Sequence, residues 1–596
     1  MQKTDNKETL STMKTKDSIK KYTMRNILIA FGILIAFSSC DDYFDPKLTN
    51  ERSEEQFLAN ADYVRGLLTY AYRAIPSSFD TYGGDFLDAA TDNALSNVPA
   101  GGINRMVETD GFWSAVSNPI NNWQGRYDDL KNVNQFIEIG LDGTVVYFKA
   151  DEERDEAYRQ RLKGEAYFLR AWIHFDLLRR YGGIDTSGNL MGIPLITSFI
   201  DINVDDLNLS RNTYDECVQQ IVEDLNVAIT NLPSEYTGSN DDFGINNLGR
   251  PTSIASKALK SRVLLYAASP SFGTSSYTDA AQAANDVIDD IGTTLPNVYD
   301  IDNISKDYFN NDTNDELIMR RVNGGTNGDN GLEQSNFPPS LLGNGRCNPS
   351  QNLVDAFPMA NGYPINNPSS GYDENMMYNN RDPRFEMTVI YNNRIFKGQA
   401  IETFQGGNNV PPAPGVTVEN STRTGYYLRK WISNSSNLVP GNISSDYHYN
   451  ALLRKAEVFL NLAEAANEAY GPDGGNLNLT ARQAIAEVRR RAGIASGGND
   501  DYLASITTKE AMRELIKNER RIELCFEGHY FFDLRRWKDN LNMPIEGVTI
   551  TKNPDDSFNY DRQTIVVPSY KDFMIYGPLP FNEILKTQNI TQNQGW

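Results

Sequence analysis

The stretch IKNERRIELCFEGHYFFDLRRW, residues 516–537, decides how the rest of the chain is read. Its first half continues a helical recurrence of apolar residues that begins near residue 507, which predicts a helix over about 507–526. On that helix Glu519, Glu523 and Glu527 fall at i, i+4 and i+8. Three carboxylates then stand on one row about 6 Å apart, near the separation a glycosidase pair requires. Arg520, Arg521, Arg535 and Arg536 lie close in sequence and would keep those carboxylates ionised. A general acid needs the opposite, a raised pKa in a desolvated site. The expected role of the row is a structural charge network that holds the last long helix against Phe531–Trp537. The alternative from another class is a surface glycoside hydrolase using Glu519, Glu523 and Glu527.

Moving outward, the chain is mostly helical. A helix from Ser53, capped by Ser53 with Gln56, stops at Pro76. Others are predicted over about 121–139, 152–181, 213–231, 252–268 and 277–291, then 450–470 and 478–492. The longest ends at Gly182-Gly183, a helix-stop signal. The pair 450–470 and 478–492 is joined by Gly-Pro-Asp-Gly-Gly at 471–475. Ala456, Ala463, Ala465 and Ala466 allow the close approach of a tetratricopeptide-type hairpin. Between about 292 and 449 helical periodicity fades, Gly, Asn, Pro and Asp dominate, and short strand-like runs such as Met387–Tyr391 appear. Irregular stretches this long inside a helical frame are usually functional. With no linker-like break, residues 40–596 are expected to form a single domain: an N-terminal part over about 40–300, the insertion over about 292–449, and a C-terminal part over about 450–596.

Composition narrows the function. The 596 residues carry 56 Lys+Arg against 78 Asp+Glu, a net charge of −22. Such a chain is a poor partner for nucleic acid or for an anionic lipid surface. Three histidines and four cysteines make a histidine metal centre improbable, and no cofactor is expected. Serine-hydrolase elbow, Walker A, HExxH and dinucleotide-binding patterns are all missing. Asp300, Asp302 and Asn303, or Asn310, Asn311 and Asp312, lack calcium-loop spacing and are expected to cap loops. Cys217 and Cys525 are expected as small buried hydrophobes.

The N-terminus carries an address. Lys14, Lys16, Lys20, Lys21 and Arg25 precede the apolar run Ile27–Phe37, which is too short to span a bilayer. Ser38, Ser39 and Cys40 follow. The order positive, apolar, small, cysteine resembles a bacterial lipoprotein signal, with residues 1–39 removed and Cys40 lipidated. Phe37 stands where such signals usually have Leu. Asp41 and Asp42 resemble the surface-export signal of Bacteroidetes lipoproteins.

The opening stretch itself resembles the ER-x-x-EL-x-FEG block of the SusD/RagB family, with His529 in place of the usual Arg. Gly164–Ala171 (GEAYFLRA), Tyr181-Gly-Gly, Gly192–Leu195 (GIPL), Leu453–Ala465 (LRKAEVFLNLAEA), Tyr576–Glu583 (YGPLPFNE) and the terminal Gln592–Trp596 (QNQGW) agree with further family blocks in order. The resemblance implies a non-catalytic, surface-exposed outer-membrane lipoprotein built on about four tetratricopeptide-like helix pairs. It implies a partner, a SusC-like TonB-dependent transporter, which the protein caps and to which it delivers an oligosaccharide or other nutrient. A structural or adhesion lipoprotein without a small ligand is a further alternative. The family's ligand face draws on the irregular stretch after the first helix, so Tyr82, Asp92, Asn93, Arg105 and Trp113 are the expected ligand residues. Trp113, in a loop with no helical period, is expected to be the stacking platform. Tyr299, Tyr308 or Phe337 are expected as a second wall. Trp172, Trp431 and Trp537 are expected to be structural.

Overall fold

Side-chain caps start the helices that begin at Glu152, Tyr214, Ser253, Tyr277, Ala481 and Lys509, close to where the sequence places them. The computed structural model describes residues 60–596 apart from 202–203, 206–207, 298–313, 324–329 and 588. The leader, Cys40, the Ser53 capping box, the acidic clusters at 300–312, Tyr299 and Tyr308 lie outside the described residues. Within them, α1 is Ala61–Ala71, α2 Trp123–Gly140, α3 Glu152–Tyr181 and α4 Tyr214–Asn231. Then follow α5 (Ser253–Ala268), α6 (Tyr277–Ile291), α7 (Lys455–Tyr470), α8 (Ala481–Arg491), α9 (Lys509–Glu523) and α10 (Tyr530–Trp537). Asp151 accepts from the Arg154 amide, and Thr213 with Glu216 and Thr480 with Gln483 form reciprocal capping boxes. Each such cap contributes about 1 kcal/mol.

The helices pair as hairpins, α1 on α2, α3 on α4, α5 on α6 and α7 on α8, and each pair packs on the next. Close approach is built in. A Cβ at Gly164 on α3 would lie 2.6 Å from Leu232 at the end of α4. Gly182 and Gly183 act likewise: neither is left-handed, and a Cβ on Gly183 would sit 2.6 Å from the Tyr576 side chain. Arg262 on α5 pairs with Glu457 on α7 at 2.5 Å, tying the N-terminal helices to the C-terminal ones across the insertion.

The insertion leaves at the end of α6 and returns at the start of α7, yet α6 still packs on α7. The helical stack is therefore continuous, and the insertion is an excursion from it. Its neck is an antiparallel ribbon of β1 (Leu317–Asn323) and β2 (His448–Arg454). The helix expected from residue 450 thus begins only at Lys455, because residues 450–454 are claimed by hydrogen bonds to a strand more than 100 residues away. Met387–Tyr391, expected as a strand, is split. Asp382 caps a short helix Pro383–Thr388, and only Val389–Ile390 pairs, with Tyr427–Leu428. A second core gathers Phe86, Phe357, Phe385, Tyr426, Trp431, Phe526 and Val548 from the loop region, the insertion and the C-terminal part. Phe337, expected on the ligand face, is fully buried beside Phe396 and Tyr427, a correction forced by that packing. Trp172, Trp431 and Trp537 are buried, as are the free thiols of Cys217 and Cys525.

Candidate functional site

The carboxylate row is closed to solvent. Glu519 and Glu523 are at most 1% exposed and Glu527 5%. Glu519 accepts from Arg384 (2.8 Å) and Arg489 (2.6 Å). Glu523 accepts from Arg384 (3.0 Å), Arg454 (2.7 Å) and Arg491 (2.5 Å), and Glu527 from Arg454 (2.8 Å) and Lys430 (2.7 Å). Burial alone would push the Glu523 carboxyl up, but Arg491, Arg454 and Arg384 hold it well below the usual range. A carboxylate held this firmly ionised is not a proton donor at neutral pH, so Glu523 lacks the raised pKa that the hydrolase alternative asks of a general acid. The row does bind α9 into the fold, but its partners lie on β2, α8 and the insertion rather than on Phe531–Trp537. That second contact is made by Arg520, which pairs with Asp533 at 2.8 Å while Asp533 and Glu464 hold Arg536.

The five expected ligand residues do not converge. Trp113 is only 2% exposed, which corrects its reading as a platform. Its ring meets Trp596 at 5.0 Å, Tyr570 at 5.9 Å and Phe531 at 6.1 Å, and its Nε1 donates to Asn118 at 3.0 Å. The partners that cover it come from the far end of the chain, out of reach of any local pattern. Asp92 and Asn93 are buried too: both accept from Arg521 (2.8 and 2.7 Å), and Asn93 donates to Asp88. They join α9 to the loop and are not free for hydroxyls. Arg105 is exposed, with its guanidinium 3.9 Å over the Phe112 ring. Only Tyr82 of the five lines the cleft described next.

That cleft, of about 490 Å³, opens where residues 73–82 and 119–122 meet α3, the β1–β2 ribbon and the turn Glu527-Gly528-His529. Pockets of this size suit small ligands. Phe79 and Tyr82 give it aromatic surface, and Asn121 and Asn122 amide groups. Tyr181 donates to the Asn121 side-chain oxygen (2.6 Å) and accepts from the main-chain N–H of Asn122 (2.9 Å). The walls are dominated by arginines. Arg126, Arg179 and Arg180 all donate to Asp176, at 2.7, 2.7 and 3.1 Å, and Arg73 and Arg126 share Asp129. Arg180 also donates to the Tyr82 hydroxyl at 3.2 Å. Arg321, from β1, donates to the carbonyls of Tyr72 and Ile75 and to no carboxylate among the described residues. Burial would raise the Asp176 carboxyl, yet Arg180, Arg126 and Arg179 hold it well below the usual range. His529 on the wall is pushed well down by burial and then by Arg262, Arg520 and Arg179, so it stays neutral.

Sequence reasoning missed these arginines. Arg179 and Arg180 close α3 and look like ordinary dipole complements at a helix end. Arg321 comes from a strand whose position depends on a distant partner. A wider groove in the insertion is lined by Tyr378, Tyr391 and Tyr560. There Tyr378, Tyr391 and Phe385 stack on one another at 4.3–6.0 Å, so their faces are taken up by each other.

The fold is a helical-hairpin scaffold with a cleft lined by loop and helix residues. Comparison with known proteins gives the family. A model described as "SusD family" matches residues 304–596, and one described as "Starch-binding associating with outer membrane" matches 58–265. A SusD-like protein P38 of Formosa agariphila is 25% identical, over 89% of this chain and 95% of the relative. The crystal structure of a SusD-like protein from Bacteroides fragilis NCTC 9343 is 26% identical with a TM-score of 0.72, covering 91% of this chain and 99% of that one. A laminarin-binding SusD-like protein shares the fold at 21% identity and a TM-score of 0.58, over 90% and 100% of the two chains. The chain belongs to the SusD/RagB family.

Proposed function

We propose that this chain captures an oligosaccharide at the bacterial surface without transforming it, and passes it to a SusC-like TonB-dependent transporter in the outer membrane. The observation that carries the reading is the cleft itself. Aromatic, amide and guanidinium groups converge on one ligand-sized space, while its carboxylates, Asp176 and Glu527, are engaged by cations. Sugars are held by such sets: ring faces against aromatic surface, hydroxyls against fixed donors and acceptors. Carbohydrate binding by structural relatives and the outer-membrane description of one family model support the same reading. Among the described residues no helix is long and apolar enough to cross a membrane. Attachment is assigned to two acyl chains on Cys40, each buried CH₂ contributing about 0.8 kcal/mol.

Titration calorimetry with a glycan panel tests capture. The Tyr82→Ala variant should bind the preferred glycan at least about tenfold more weakly, with unchanged melting. Product release from any glycan, or wild-type affinity in Tyr82→Ala, would overturn the assignment. Cys40→Ala should leave the membrane fraction while staying folded, and the transporter should co-purify with the wild-type protein.

A further inference from the structure

We propose that the cleft selects an acidic oligosaccharide, one carrying carboxylate or sulfate-ester groups. The inference rests on the reading of this cleft as the glycan site and names the chemistry of its ligand. Its basis is a local charge imbalance. Arg73, Arg126, Arg179 and Arg180 share only two carboxylates, Asp129 and Asp176. Arg321 adds a fifth guanidinium whose protein acceptors are two main-chain carbonyls. Among the described residues, the cleft wall therefore carries about three positive charges more than the carboxylates that pair with it, in a chain of net charge −22. The remaining arginine there, Arg262, is balanced by Glu457, and the wall's Glu527 is taken up by Lys430 and Arg454 behind it.

Desolvating a guanidinium without an anion is unfavourable, and proteins normally pair or expose such groups. Arg126 and Arg180, with side chains no more than 10% exposed, share Asp176 with Arg179, and Arg321 is half-buried with its charge disfavoured by burial alone. A neutral sugar would cover these groups and leave the imbalance in place. A uronate or a sulfate ester would remove it, since both match the planar, two-pronged donor geometry of arginine. The surrounding acidity supports a role in selection. A polyanion is repelled by most of this surface and attracted only where the field reverses, so the local field orients the ligand into the cleft. Arg73, with a half-exposed side chain on the rim, is placed to meet the acidic group first, and Arg321 to hold it further in.

The test uses the full-length protein in detergent and calorimetry with matched probes. These are tetragalacturonate and its methyl ester, a sulfated carrageenan tetrasaccharide and its desulfated form, laminaritetraose, and inorganic sulfate. At least one acidic oligosaccharide should bind about tenfold or more tighter than its uncharged counterpart, because charged hydrogen bonds exceed neutral ones by that margin. That affinity should fall as NaCl rises from about 50 to about 500 mM. It should also fall about tenfold in Arg321→Met and in Arg73→Met. The second variant is on the rim and should keep wild-type melting, which guards against an unfolded Arg321→Met. Equal binding of charged and uncharged partners, still lost in Tyr82→Ala, would overturn the acidic selectivity and leave the glycan reading intact. Inorganic sulfate binding as tightly as the sulfated tetrasaccharide would also overturn it, because the site would then hold a free anion. No binding of any oligosaccharide would overturn both.

Discussion

Two arginine-rich regions lie a few residues apart at the Glu527–His529 turn and behave in opposite ways. Behind the turn, Arg384, Arg454, Arg489 and Arg491 meet Glu316, Asp382, Asp500, Glu519, Glu523 and Glu527 in a dry interior where each cation has a carboxylate. In front of it, the cleft arginines outnumber their carboxylates and line an open space. The same residue types are a strut in one place and a receptor in the other. What separates them is whether the opposite charge comes from the chain or is left to a ligand. A closed network fixes geometry at the cost of desolvation, and breaking one partner exposes that cost. An open one keeps the cost in reserve until an anion arrives.

The largest test breaks the closed side. Glu523→Ala would take one carboxylate from each of Arg384, Arg454 and Arg491 and leave the buried network short of a negative charge, and should destabilise the protein by about 3–5 kcal/mol in denaturant unfolding, with unchanged glycan affinity in the folded fraction. Lost binding with unchanged stability would mean that the two regions have been assigned the wrong way round. Trp113→Ala should cost about 3 kcal/mol or more through the cavity left among Phe531, Tyr570 and Trp596, again without an effect on binding. A binding defect at wild-type stability would return Trp113 to the ligand face.

Asp88 marks the edge of the comparison, a buried carboxyl with hydrogen bonds from Phe526 and Asn93 but no guanidinium partner among the described residues. Burial raises it from 3.8 to about 6, against the opposing pull of those bonds and Lys430. The folded state therefore holds this proton more tightly than the unfolded state. The contribution is fully present below about pH 4 and is lost as pH rises through about 6, at up to about 1.4 kcal/mol per pH unit. Asp88→Asn, which keeps an acceptor for both bonds, should flatten stability over that window and raise it near pH 7. An unchanged pH profile would place the titrating group elsewhere. The smallest test supplies the open side with a charge of its own. Asn122, at the N-cap of α2, makes no side-chain cap. Asn122→Asp should add about 0.5–1 kcal/mol of stability and weaken binding of acidic glycans. Tighter binding would contradict a cationic cleft.

The helical stack was legible because its causes are local. The 3.6-residue recurrence and stop signals such as Pro76, Gly182-Gly183 and Gly471-Pro472 place most helix ends within a few residues. The charge-network reading was legible in part: i+4 spacing puts Glu519 and Glu523 on one face of α9, but α9 ends at Glu523, Glu527 lies in the turn beyond it, and the cations that pair with the three come from β2, α8 and the insertion rather than from the arginines beside them in sequence. What failed were statements about exposure. Trp113 sits in a loop that locally demands no burial, yet Trp596, almost 500 residues further on, lies against it. Asp92 and Asn93 look like free polar groups until α9 brings Arg521 to them. The cleft combines residues from 73 to 529, and its excess charge exists only as a difference between groups from separate elements. By itself the sequence determined most of the helices, because hydrogen bonding, capping and apolar periodicity act over a few residues, and its motif blocks pointed to the family and, through that resemblance, to the helix pairs. Which side chains face a ligand, and which charges stay unanswered, was decided by the tertiary structure, because burial and charge balance are sums over neighbours that the chain brings together only on folding.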